Sequence, residues 1–286
     1  MPDNGRLRCE VKTVRRIFRH KMACWGGVLV LIISLAAAMA SFLPLQDPYR
    51  LSISAMYAAP SAEHLFGTDS FGRDILSRVI FGCQVSLRVG CLVAFVSTVV
   101  GGIIGLVAGF HKVLDNIIMR CMDAMMALPA ILLALAIVSI LNPSELNTIV
   151  ALSIVYTPRT ARVVRGAVLS IREETYIEAA RAVGCSDSRI IARYLAPNVL
   201  APLLIQATFI FAYSILAEAG LSFLGAGAPP PTPSLGNILS EARPVLRSAP
   251  WVAVFPGVVI MLLVAGINLI GDAVRDVLDP RLETQQ

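Results

Sequence analysis

Twenty residues in a row, from Cys24 to Leu43, carry no charge, and apolar runs of this kind recur along the chain. A helix needs about 20 such residues to cross the hydrocarbon core of a bilayer. A spanning segment must also satisfy its own backbone polar groups, which leaves helices as the natural form for runs of this length. A second run covers Val89 to Phe110, and Gly101, Gly105 and Gly109 fall on one face of it at four-residue spacing. Small residues so spaced let another helix approach closely, so tight helix packing is expected there. The third run, Ala124 to Leu141, is expected to bend around Pro129, with Arg120 and Asp123 at its entrance placed to pair. The fourth, Leu146 to Val164, is interrupted by Pro158, Arg159 and Arg162; its apolar part is short, and its arginines are expected to snorkel to one surface. Val199 to Ala217 and Trp251 to Gly271 complete the set, Gln206 being the one strongly polar side chain of the fifth run. These runs predict an all-α membrane protein with about six transmembrane helices.

Composition agrees. Hydrophobic residues make up 56% of the 286 and charged residues only 15%, against about 25% charged in a soluble domain. The net charge of +5 does not indicate nucleic acid, because the basic residues lie in two blocks beside apolar runs without interleaved aromatics. The six cysteines have no paired short spacing, so neither a disulfide framework nor a metal cluster is expected. His20, His64 and His111 are scattered outside the runs, and His64 is expected to be a structural hydrogen-bonder in a loop.

Cytoplasmic flanks of membrane proteins are enriched in lysine and arginine. With the N-terminus inside, the inner segments hold 17 such residues: Arg6, Arg8, Lys12, Arg15, Arg16, Arg19, Lys21, Lys112, seven arginines from Arg159 to Arg193, Arg275 and Arg281. The outer loops hold five: Arg50, Arg73, Arg78, Arg243 and Arg247. Both termini are therefore expected in the cytoplasm. The resulting division is a basic N-terminus (1–23), a first transmembrane helix (24–43), an extracytoplasmic loop (44–88), a membrane core (89–271) that includes a cytoplasmic segment (165–198), and a cytoplasmic tail (272–286). Arg15 to Lys21 and Ala38-Met39-Ala40 together resemble a signal peptide, but the apolar run exceeds the usual 7–15 residues of such a leader. An uncleaved anchor is the expectation.

The segment 165–198 is dense in charge and reads as two short helices. Tyr176, Ala179, Ala180, Val183 and Gly184 recur at helical spacing and form a small, mildly apolar face. Gly184 is suited to end the first helix, and Ser186 or Asp187 to cap the second. By spacing alone, this face is either a docking site for another protein or an ordinary surface.

Glu178-Ala179-Ala180, with Gly184 four residues later and then Pro197-Asn198, resembles the EAA loop of bacterial ABC importer permeases. That family favours isoleucine and leucine just before the proline, where this chain has Tyr194 and Ala196. Three further stretches are similar to the peptide/nickel class of these permeases. They are His64-Leu65-Phe66-Gly67-Thr68-Asp69-Ser70-Phe71-Gly72-Arg73-Asp74; Leu221-Ser222-Phe223-Leu224-Gly225 with Pro229 to Gly236; and the C-terminal stretches Phe255-Pro256-Gly257, Asn268 to Asp272 and Arg275 to Arg281. The chain therefore resembles the C-type permease subunit of dipeptide and oligopeptide importers (DppC/OppC type).

The resemblance implies the type I ABC importer permease architecture in the bacterial inner membrane. It also implies a second permease subunit, one or two ABC ATPase subunits and an extracytoplasmic peptide-binding protein as partners. Glu178, Ala179, Ala180, Gly184 and Pro197 would couple the permease to the ATPases during alternating access. No cofactor is expected in this chain, ATP and Mg being used by the partners. That agrees with the lysines: neither Lys12, Lys21 nor Lys112 stands in the GK[ST] context of a phosphate-cradling loop.

Two other classes compete. An intramembrane serine enzyme finds only the start of a motif in Gly220-Leu221-Ser222, without the glycine that completes it or a histidine in reach. An ion-driven secondary carrier would keep ionisable relays within its spans; Glu218, near the end of the fifth run, comes nearest to one, and no inverted repeats of the carrier kind are evident.

Overall fold

The computed structural model describes residues 21–278. The basic block from Arg6 to Arg19, Cys9, and the tail residues Asp279, Pro280 and Arg281 lie outside them. Among the described residues the chain is helical, with one isolated bridge between Thr68 and Asp74 and no other β pairing. The long elements are α1 (Lys21–Ala38), α2 (Ile75–Phe110), α3 (Lys112–Met126), α4 (Ala130–Leu141), α5 (Glu145–Arg172), α8 (Ala196–Phe223) and α10 (Trp251–Leu278). Shorter helices are α6 (Thr175–Ala182), α7 (Asp187–Ile190) and α9 (Leu235–Ala242).

The six apolar runs lie largely on helix, but the first, expected to be one helix over 24–43, is helical only as far as Ala38 and turns from Met39 on, and the third breaks at 127–129. Length and apolarity alone mark three spans, α2, the stretch Asp187–Phe223 and α10, and a fourth if α3 and α4 are one span bent by 91°. The break falls at Pro129, which has no N–H to donate and sterically opposes a continuous helix. The apolar part of α1 is shorter, Cys24–Ala38. With 28 residues α5 runs unbroken through Pro158 and is about 42 Å long, but its arginines set it apart from an ordinary span.

Packing centres on α2 and α5, and the glycine stripe is their seam. A Cβ on Gly105 would stand 2.6 Å from the Ala161 carbonyl oxygen and 2.7 Å from Val164 Cβ, and Gly101 and Gly109 meet Thr160 and Val168 as closely. The tight helix packing expected from the spacing is present. α1 lies along α10, where a Cβ on Gly26 would come within 2.7 Å of the Gly266 carbonyl oxygen.

α2 begins at Ile75, well before the second run, so the last part of the 44–88 loop is helix. At 36 residues it is about 54 Å long, and its first turns are held by polar groups that hydropathy does not register. Asp74 caps it, accepting from the Ser77 N–H and hydroxyl at 2.8 Å each, while His64 Nδ1 lies 3.1 Å from Asp74 Oδ1. His64 is thus the loop hydrogen-bonder expected. Next to it Asp69, fully buried, receives Arg73 Nε at 2.7 Å and is also paired with Arg78. Deeper in the bundle, Glu218 of α8 is buried and accepts from Ser86 of α2 at 2.7 Å and Ser222 at 2.8 Å.

Candidate functional site

The segment between α5 and α8 folds as two short helices and a turn at one end of the bundle. α6 ends at Ala182, and Gly184 follows at φ +80°. The Gly184 N–H donates to the Arg181 carbonyl at 2.9 Å and the Cys185 N–H to the Ala180 carbonyl at 3.0 Å. This is a Schellman closure, in which a left-handed residue lets two terminal carbonyls find donors. α7 then starts after Ser186 and continues through a π turn, Ile191–Leu195, into α8. Pro197 lies exposed at the start of α8, directly after the π turn.

The face read from the spacing divides in two. Tyr176, Ala179, Val183 and Gly184 are exposed, and Val183 retains 80% of its surface. Ala180 is instead buried and turns inward with Ile177, a residue outside the expected face. Ile177 packs into a cluster with Phe110 of α2, Val164 and Val168 of α5, Ile190, Leu195 and Val199. On a helix of eight residues a small-residue face has weak directional preference, so the bulk of Ile177 decides which side goes down. The signal was present as Ile177 and Ala180 at i, i+3, overshadowed by the more numerous small residues. The cluster joins α6 to α2, α5 and α8.

Polar contacts tie the same end. Arg172 donates to the Gly109 carbonyl at 3.1 Å, and the Arg181 guanidinium lies 5.4 Å from the Phe110 ring centre. Glu178 is exposed and lines a cavity of about 360 Å³ with Phe110, Lys112, Arg172, Glu173 and Arg181. Tyr194, one of the two departures from the EAA pattern, has its ring 6.4 Å from that of Tyr176. It therefore supports α6 from below, while Ala196 simply opens α8. The exposed remainder is a small apolar patch with charged borders, able to fill a cleft on another protein.

The arginines of α5 behave differently from the expectation. Asp123 pairs with Arg162 at 2.5 Å rather than with Arg120, and Asp115 receives Arg165 at 2.5 and 2.6 Å. Arg159 stacks 4.9 Å from the ring centre of Tyr213 on α8. All three meet partners on α3 or α8.

Comparison with known proteins places these features in a family. A model described as the binding-protein-dependent transport system inner membrane component matches residues 99–284, and one described as the N-terminal TM domain of oligopeptide transport permease C matches residues 12–60. A Brucella abortus protein provisionally named a peptide transport system permease is 49% identical over 285 residues, covering 100% of this chain and 96% of its own length. The dipeptide transport system permease protein DppC of Alkalihalophilus pseudofirmus is 43% identical, with 94% of this chain and 89% of that protein covered. The glutathione transport system permease protein GsiD of Escherichia coli is 40% identical over the same two shares. Among solved structures, a chain from the inward-facing methionine ABC transporter MetNI superposes with a TM-score of 0.60 at 25% identity, covering 71% of this chain and 96% of that one. None of these relatives is an ion-driven carrier.

Proposed function

The chain belongs to the family of inner membrane components of binding-protein-dependent transport systems, and on that premise we propose that it forms half of the translocation pathway of a peptide importer driven by separate ATPase subunits. It is a permease subunit, embedded in the inner membrane by several spans. The relatives that carry dipeptides or glutathione by name support a short peptide as the cargo. A second permease completes the pathway, and an extracytoplasmic binding protein delivers the peptide to the outer loops.

The observation that carries the coupling role is the mounting of α6. Its exposed side, Tyr176, Ala179 and Val183, faces outward at the end of the bundle, while Ile177 anchors the other side to three long helices and Ala180 is buried on that same side. Closure of two ATP-bound partner domains would move α6, and the cluster around Phe110, Val168 and Val199 would carry that motion into α2, α5 and α8. Glu178, Ala179, Gly184 and Pro197 border the docking surface, and Ala180 seats it. ATP and Mg stay with the ATPase subunits.

The test is to tag the chain, extract it gently from its native membrane and identify what accompanies it by mass spectrometry. Recovery of a second permease and one or two ATPases bearing Walker motifs is expected. Recovery of the chain alone, still moving solute into liposomes without ATP, would overturn the reading in favour of a carrier.

A further inference from the structure

Arg159, counted with the inner flank on sequence alone, is the neighbour of Thr160, which packs on Gly101 near the middle of the second apolar run; α5 thus carries charge at a depth where a membrane helix ordinarily has none. One side of it, through Thr157, Thr160, Ala161 and Val164, is buried against α2 and its neighbours. The far side bears Arg159 and Arg162, both exposed, and then Gly166, where no atom lies within 4 Å of the place a Cβ would occupy. This face is open. Arg159 stands near the middle of the 28-residue helix, about 20 Å from each end.

The two arginines differ in what they meet. Arg162 is paired with Asp123. Arg159 lies over the face of Tyr213, and among the described residues it meets no carboxylate. An aromatic face stabilises a guanidinium without occupying its N–H donors. A cation at this depth is costly against lipid; such residues face water-filled space or protein and mark substrate paths. The headgroup layer begins about 15 Å from the bilayer midplane, so a lipid phosphate does not reach the middle of α5. A guanidinium with free donors suits a carboxylate, which it can hold by two parallel hydrogen bonds. The terminal carboxylate is the anionic group that linear peptides share whatever their side chains.

We propose that Arg159, presented on Tyr213 at the open face of α5, receives the C-terminal carboxylate of a peptide passing through the pathway. The assignment rests on the peptide-import reading above. It makes α5 a lining element of the pathway.

The experiment uses the whole complex, purified with its partner subunits and binding protein, reconstituted in liposomes and supplied with ATP and trialanine. Arg159→Gln is expected to lower trialanine uptake about tenfold or more, the loss of one charge-assisted contact. Subunit recovery, thermal midpoint and basal ATP hydrolysis should stay at wild-type values, and Arg159→Lys should restore most of the uptake. Uptake within twofold of wild type in Arg159→Gln would overturn the proposal. So would an Arg159→Lys protein as poor as the glutamine variant. Loss of the second permease from Arg159→Gln would also overturn it, since the guanidinium would then be meeting a carboxylate of that subunit. A wild-type complex that takes up no trialanine or other short peptide, yet hydrolyses ATP, would remove the peptide reading itself and this assignment with it.

Discussion

Arg78, in the first turn of α2, donates from both terminal nitrogens to Glu241 of α9, at 2.5 and 3.0 Å, across 163 positions of sequence. The Arg78 side chain is 2% exposed and also meets Asp69, itself fully buried and held by Arg73. Two acids and two guanidiniums thus neutralise one another where the 44–88 loop, α2 and α9 converge. Removing one member leaves charge without a partner in a dry site, a cost of about 3–5 kcal/mol for buried pairs. Arg78→Ala is expected to destabilise the subunit by about 3 kcal/mol. Glu241→Ala should cost less, because that carboxylate is 23% exposed. Thermal midpoints of the detergent-purified complex check the order; equal or negligible shifts would mean that the cluster does not hold the 44–88 loop to α9.

Ala179 and Ala180 are adjacent but face opposite ways, the first exposed and the second buried on the same side as Ile177, which seats α6. Ala180→Leu should therefore overpack the seat and cost about 1–3 kcal/mol, seen as a lower thermal midpoint. Ala179→Arg should leave the midpoint unchanged while weakening ATPase docking. Recovery of ATPase with the tagged chain separates the two, and the reverse pattern would show that the face is assigned upside down.

Gly184 holds φ +80° with open space around it, so a side chain meets no clash but forces a left-handed conformation costing about 1–2 kcal/mol. Gly184→Asp is expected to insert and assemble normally yet to lose most ATP-driven uptake, since α6 can no longer close with the same geometry. Normal peptide uptake in a well-expressed Gly184→Asp protein would end the coupling role of this turn.

Gly105 is a different kind of glycine, required for space. A Cβ there would lie 2.6 Å from the Ala161 carbonyl oxygen, a backbone atom that cannot step aside. Gly105→Leu should separate α2 from α5 and abolish recovery of folded subunit, whereas Gly102→Ala, whose nearest neighbour would be 3.5 Å away, should be tolerated. Fluorescence-detected size-exclusion profiles of the two variants make the comparison.

The chain's order alone determined that this is a helical membrane protein, because the free energy of a span is a sum over consecutive residues and can be read without knowing their neighbours in space. It also determined where α6 ends, since Gly184 stands where local turn geometry calls for a left-handed residue. The tertiary structure decided the rest. It set the start of α2 at Ile75, because the charges of Arg73 and Arg78 are admissible only beside Asp69 and Glu241, and no local window contains that partner on α9. It turned Ala180 down and left Ala179 up, because Ile177 finds a pocket built from three other helices. It gave Asp123 to Arg162 rather than to Arg120, and placed Arg159 on Tyr213, because such choices depend on distances between helices far apart in sequence. Hydrophobicity adds along the chain, whereas charge pairing and close packing depend on which residues the fold brings together.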